Sequence, residues 1–290
     1  RGRVSLGPDS CDVSRSKVSH FAVTRTVRDT AALLDAIEGV DIGEAVMHAR
    51  PERPFRHEVG APPGKLRIAL SNMMWHTKPV HGEVKAETDR LGRALESLGH
   101  RVEIAKPDID FDRYREIYRT IYYVEGALAM AKFPDITGTP LDLEKIQPLM
   151  RQIYNKGKVY WVGEYADCFV FMNYLARKLG AFFETYDLLL TPALAEAVPQ
   201  LGDYSLMRTD IDSDQFYDRL LGCNQYLPLS NLTGTPSISL PLCGTPDGLP
   251  LGAHFIAPMG EEARLIRLAA QREEAMPGRD RRPPVQAAMA

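Results

Sequence analysis

Apolar residues recur along this chain with two periods, and the period changes mark the elements. Val27, Ala31 and Leu34 lie on one helical face, which predicts a helix over 26–38. Thr26 can cap it, Asp29 sits at the reciprocal capping position, and Gly39 can end it. Residues 47–64 hold Pro51, Pro54, Pro62 and Pro63 with little periodicity, so they read as a surface crossing. Leu66, Ile68 and Leu70 then alternate as in a strand. Val84, Leu91, Leu95 and Leu98 recur at helical spacing up to Gly99, and Val102 and Ile104 make a second strand. Residues 65–105 therefore read as a β-α-β unit with a right-handed crossover in a parallel or mixed sheet.

The stretch 110–185 reads as helical and aromatic. Phe111, Tyr114, Tyr118, Ile121 and Tyr122 share a spacing, and a long helix over 160–186 is apolar most of the way round. An aromatic stripe can line a ligand pocket, but core packing is the stronger reading. A strand follows at 186–191, stopped by Pro192, then a helical piece near 213–223 and turn residues at 231–236. Residues 237–241 and 252–256 read as two strands joined through Pro246-Asp247-Gly248, and a helix over 260–275 closes the pattern.

Composition narrows the class. The chain has 290 residues, 44% of them hydrophobic and 25% charged, which supports a real core and excludes a disordered or disulfide-stapled chain. By length it is two domains or one large α/β domain. Thirty-five basic residues against 38 acidic ones leave a net charge of −3, giving no field to gather nucleic acid or an anionic membrane. The basic run Arg279–Arg282 lies in a Pro-rich tail, and 276–290 is expected to be disordered. Nothing approaches the ~18 apolar residues of a membrane span. The four cysteines Cys11, Cys168, Cys223 and Cys243 form no C-x-x-C pair, so no metal site is expected and reduced thiols in a cytoplasm are. The sequon Asn231-Leu232-Thr233 matters only in a secreted protein. No cofactor motif is present: the glycines form neither G-x-G-x-x-G nor G-K-[ST].

Candidate chemistry from spacing alone is thin. Ser14-Arg15-Ser16-Lys17 matches an S-x-x-K pattern, in which a lysine of lowered pKa activates a serine, but no K-T-G partner exists and a polar surface loop is the better reading. His76 and His81 have the wrong spacing for a metal helix and read as ordinary exposed or satisfied histidines. Cys223, beside Asn224 and ahead of a turn-rich loop, reads as a buried thiol, with a Cys223–His254 thiol hydrolase as a rival that needs the two side chains in contact.

An ordered series is more specific. Arg1-Gly2-Arg3-Val4-Ser5-Leu6-Gly7-Pro8 is followed by Phe21-Ala22-Val23-Thr24-Arg25-Thr26-Val27-Arg28-Asp29-Thr30-Ala31-Ala32-Leu33-Leu34-Asp35. Later come Tyr186-Asp187-Leu188-Leu189-Leu190-Thr191-Pro192, Asn231-Leu232-Thr233-Gly234-Thr235-Pro236-Ser237-Ile238-Ser239-Leu240-Pro241, and Gly248-Leu249-Pro250-Leu251-Gly252. Over about residues 1–275 this resembles the C-terminal portion of amidase signature family enzymes. The opening segment and Tyr160-Trp161-Val162-Gly163-Glu164 lean towards the branch that includes 6-aminohexanoate cyclic-dimer hydrolase.

The resemblance implies α/β/α layers around a mixed twisted sheet with the N-terminal part of the domain missing, 1–275 being the C-terminal portion of a single domain. It implies hydrolysis of non-peptide carbon–nitrogen amide bonds in a small-molecule substrate. A serine nucleophile, a bridging serine and a desolvated lysine perform it, and backbone N–H groups hold the oxyanion. That family's triad lies upstream of the R-G-R segment in a Gly/Ser-rich stretch. No Gly-Gly-Ser-Ser-Gly run exists in this sequence, so no residue here inherits a catalytic role. The chain, which opens at Arg1 without Met, is expected to be about three-fifths of a larger domain and inactive alone. The missing part would supply sheet strands, so the strands of 65–105 are expected to leave an open apolar face and exposed edges. The chain is expected to aggregate, to pair with a missing N-terminal segment or to form a homo-oligomer. The alternative is a non-catalytic binding or interaction protein derived from an amidase. The resemblance places the leaving-group side of the substrate pocket on the variable helices and the loop before the N-L-T-G block. The substrate-binding candidates are thus Tyr122, Gly126, Cys223 and Asn231, with packing or turn formation as the plainer reading of each.

Overall fold

The computed structural model describes residues 1–7, 17–44, 46, 48–76, 78–241 and 244–278. Ser14, Ser16, Cys11, Cys243 and the basic tail run lie outside the described residues. The strands are β1 (Arg67–Leu70), β2 (Arg101–Ile104), β3 (Leu188–Pro192), β4 (Ser237–Pro241) and β5 (Gly252–Ile256). They form one sheet in the order β2-β1-β3-β5-β4. β2, β1 and β3 run parallel, and β5 is antiparallel to both β3 and β4. The sheet is therefore mixed, as the pattern implied. Pro192 is paired with Ala253, so it closes β3 from within rather than stopping it.

Nine helices are described: α1 (Val27–Ile37), α2 (Gly82–Ser97), α3 (Phe111–Ala131), α4 (Phe133–Thr137), α5 (Pro148–Gly157), α6 (Val162–Phe183), α7 (Ser213–Asn224), α8 (Pro228–Thr233) and α9 (Glu262–Ala275). Period-two alternation divides the sheet residues between two cores. Ile68, Leu70, Leu188, Leu190 and Phe255 face α1, α2 and α9. Ala69, Leu189 and Ile256 face α3, α6 and α8. The result is three layers, helix on sheet on helix.

Each face is a sequence stripe put to use. In α1 the buried set is Val27, Ala31 and Leu34, and the Thr26 hydroxyl accepts the Asp29 N–H at 3.1 Å. The Asp29 carboxylate bonds the Thr26 side chain and the Arg28 guanidinium, where the reciprocal cap would have it take the Thr26 N–H. In α6 the buried residues Cys168, Met172, Leu175 and Leu179 repeat at three and four. Its start is fixed by Glu164, whose carboxylate accepts the Trp161 N–H at 2.9 Å. The conspicuous Y-W-V-G-E stretch is thus a helix start.

Two further expectations fail. β1 has no open apolar face: Ile68, Ala69 and Leu70 are buried because helices cover both sides. The exposed apolar side chain of that unit is Ile104, on the edge strand β2. The turn-rich reading of 231–236 also fails in part, since Asn231 to Thr233 complete α8. That helix ends where Gly234 adopts φ +80° and its N–H reaches the Ser230 carbonyl at 2.7 Å.

Candidate functional site

The structure distributes the four sequence candidates over three places. Tyr122 and Gly126 lie one turn apart on α3. Tyr122 is half-buried in a cluster of rings, its centroid 5.8 Å from Tyr123 and 5.4 Å from Tyr217. Burial pushes its phenol up to about 12, so it stays protonated at neutral pH. A Cβ on Gly126 would stand 2.7 Å from Ile153 Cγ2, so this glycine lets α5 approach α3. Both residues carry helix packing here.

Cys223 sits near the end of α7, beyond the carboxyl ends of β1 and β3, where crevices form in sheets of this kind. Its thiol is raised, first by burial, while its hydrogen bond with Tyr204 pulls the other way. The Tyr204 hydroxyl donates to Glu196 at 3.2 Å, and Glu196 takes Lys78 at 2.7 Å. The Cys223 carbonyl accepts the Ala195 N–H at 2.7 Å. Its neighbour Gln225 accepts the N–H groups of Trp75 and His76 and donates to the Lys78 and Gly222 carbonyls. This network ties the segments after β1 and β3 to α7. Lys78, Glu196, Tyr204 and Gln225 are distant in sequence, and no motif spacing could have grouped them.

The thiol-hydrolase rival ends here. His254 lies in β5 with its ring against the Thr191 hydroxyl at 3.4 Å, whereas the thiol of Cys223 pairs with Tyr204. Burial lowers His254 to about 4, so it is neutral, and a raised thiol is a poor nucleophile. His76 is buried too, and desolvation followed by the Arg115 charge lowers it to about 4. Lys17 is 5% exposed and ion-paired with Glu125 at 2.5 Å, with the Phe169 ring 5.0 Å from its ammonium. Its ammonium is thus tied between Glu125 and the Phe169 ring.

Asn231 occupies the third place. Its amide donates to the Lys17 carbonyl at 2.7 Å, and its carbonyl accepts the Arg1 guanidinium at 2.9 Å. Arg1 thereby covers the carbonyl end of α8, where a cation is favoured. Asn231 also lines a cavity of about 950 Å³ together with Arg1, Phe21, Val27, Ser239 and Arg272. Tyr122, Gly126 and Cys223 are not among the residues lining it. Among the described residues no group of acidic, His and Cys side chains could hold a metal ion. No helix among them is long and apolar enough to cross a membrane.

Comparison with known proteins fits this architecture. The sequence model of the Amidase family matches residues 1–266, and the chain belongs to that family. It is 31% identical over 293 residues to the 6-aminohexanoate-cyclic-dimer hydrolase of Paenarthrobacter ureafaciens, covering 98% of this chain and 59% of the relative. The solved structure of 6-aminohexanoate cyclic dimer hydrolase superposes with a TM-score of 0.85 at 28% identity, over 98% of this chain and 60% of that one. The same hydrolase complexed with substrate gives a TM-score of 0.83 at 27% identity, over 98% of this chain and 61% of that one. This chain spans about three-fifths of the length of the proteins it matches.

Proposed function

We propose that these residues form the scaffold and one pocket wall of an amidase acting on a small non-peptide amide, and that they are hydrolytically silent by themselves. One observation carries the reading: the family's chemistry needs a Gly/Ser-rich stretch with two serines and a lysine, and no Gly-Gly-Ser-Ser-Gly run occurs in the 290 residues. Lys17 is taken up by Glu125, and His254 is buried in β5 with its ring against Thr191. A pocket wall binds substrate and transition state alike, which leaves the chemical step unaccelerated. The nucleophile and its base come, in this reading, from polypeptide other than these residues. Tyr122, Gly126, Cys223 and Asn231 remain the proposed leaving-group side, with Asn231 favoured because it lines the cavity.

The test is incubation with a serine-directed fluorophosphonate and with simple amides. Neither labelling nor turnover is expected from this chain alone. Stoichiometric labelling of any serine, or measurable amide turnover, sinks the proposal.

A further inference from the structure

The outer face of α6 is apolar along its length. Its inner residues Cys168, Met172, Leu175 and Leu179 are buried in the helical layer. On the opposite side Val162 is 74% exposed, Val170 67% and Tyr174 36%, and Ala166, Arg177 and Ala181 are exposed with them. These positions recur at three and four, so they form one stripe about 28 Å long at about 1.5 Å per residue. A helix that is apolar on both faces is stable when both are covered.

Charge along α6 says what covers the outer one. Its first half carries Glu164 and Asp167 and no basic residue, and its second half carries Arg177 and Lys178 and no acidic one. By helical spacing Arg177 lies within the stripe, and Asp167 and Lys178 flank it on the same side. Arg177 makes no ion pair among the described residues. A parallel copy of α6 would set like charges side by side. An antiparallel copy, related by a twofold axis at the level of Met172, sets Val170 against Tyr174 of the other copy. It also sets Asp167 against Arg177 and Lys178 of the other copy. The surface is therefore self-complementary, as a twofold interface between identical chains must be. Asp167 and Lys178 already hold Arg113 at 3.0 Å and Asp108 at 2.9 Å. Both pairs are at the surface and weak, so sharing them across the interface costs little.

We propose that α6 is a dimerisation helix, pairing antiparallel with α6 of a second copy of this chain across the stripe from Val162 to Ala181. The pairing does not depend on where the nucleophile comes from. One helix pair is a small interface, so the dimer is weak, with a dissociation constant in the micromolar range.

A water-soluble carbodiimide, which joins a carboxylate to an amine without a spacer, tests the geometry. Within one helix Asp167 and Lys178 stand about 16 Å apart, too far to be joined. Peptide mass spectrometry of the cross-linked dimer should find Asp167 joined to Lys178, a bond that only two copies can make. Sedimentation velocity tests the charge pattern with two variants. Arg177→Glu with Lys178→Glu makes the stripe acidic, and Glu164→Lys with Asp167→Lys makes it basic. Each should dimerise at least about tenfold more weakly than the parent, and the two mixed should pair within about threefold of it. Rescue by mixing requires that both variants fold. The proposal is overturned if the parent chain sediments as a monomer at about 100 μM, or if no Asp167–Lys178 cross-link forms. It is equally overturned if the variants associate as the parent does, or if mixing them restores nothing.

Discussion

Single residues set how this fold responds to acid. Glu58 is buried between two guanidinium groups, Arg53 at 2.6 Å and Arg267 at 2.5 Å. The Arg53 hydrogen bonds, outweighing burial, hold its carboxyl down at about 2. Its folded pKa lies below the unfolded one, so its contribution is full above about pH 4.5 and is lost as pH falls towards 2. His254 works in a higher window. It is lowered to about 4 by burial, so folding excludes its proton, and stability falls as pH drops from about 6.5 to 4. His76 acts in the same sense. His254→Leu should flatten the stability profile between pH 6.5 and 4 by about 3 kcal/mol at the acid end. Urea midpoints across that range check it, and an unchanged slope would count against a neutral, buried His254.

At the level of elements, the decisive contact is the approach of α3 and α5. A Cβ on Gly157 would fall 2.0 Å from the Tyr123 carbonyl oxygen, and one on Gly126 would fall 2.7 Å from Ile153 Cγ2. Backbone cannot yield as a side chain can. Gly157→Ala should therefore destabilise by about 3 kcal/mol or more, and Gly126→Ala by about 1–3 kcal/mol. Thermal or urea melting checks the ranking. A Gly126→Ala protein as stable as the parent would favour a role in lining a pocket. This contrast shows what was legible in the sequence. The stripe Val27-Ala31-Leu34, the β-α-β unit at 65–105 and the β4–β5 pair were readable because each is a local period. The place of Gly126 was not, since its meaning lies in Ile153, on a helix that no local period ties to it. Asn231 was picked out by a motif, yet its partners Arg1 and Lys17 lie more than 200 positions away. The open face expected for β1 rested on strands that the resemblance places outside these residues, whereas α2 and α9 on one side and α3 and α6 on the other already cover it.

On the scale of the molecule, the first segment is bound to the last. Arg3 is 9% exposed and reaches Glu262 at 3.1 Å, the Ala49 carbonyl at 2.8 Å and the ring of Phe55. The Val27 N–H at the start of α1 bonds Glu273 on α9 at 3.1 Å. Arg3→Ala leaves Glu262 partly buried without this cation, and should destabilise by about 2–4 kcal/mol. Chemical denaturation measures the loss, and proteolysis should then cut near 17–25 first. A change below about 0.5 kcal/mol would show that the anchor lies elsewhere.

That closure also orders events in time. The Arg1 guanidinium meets its Asn231 carbonyl across 230 positions, and Arg3 meets Glu262 across 259. Loop closure over such separations must be bridged before either contact stabilises anything. The Arg1 contact waits for α8 and the Arg3–Glu262 pair for α9, whereas Arg3 meets Gly39 and Ala49 close by in sequence. In refolding from denaturant these two long-range contacts should therefore form after the local ones between Arg3, Gly39 and Ala49, an order that pulsed amide exchange reads.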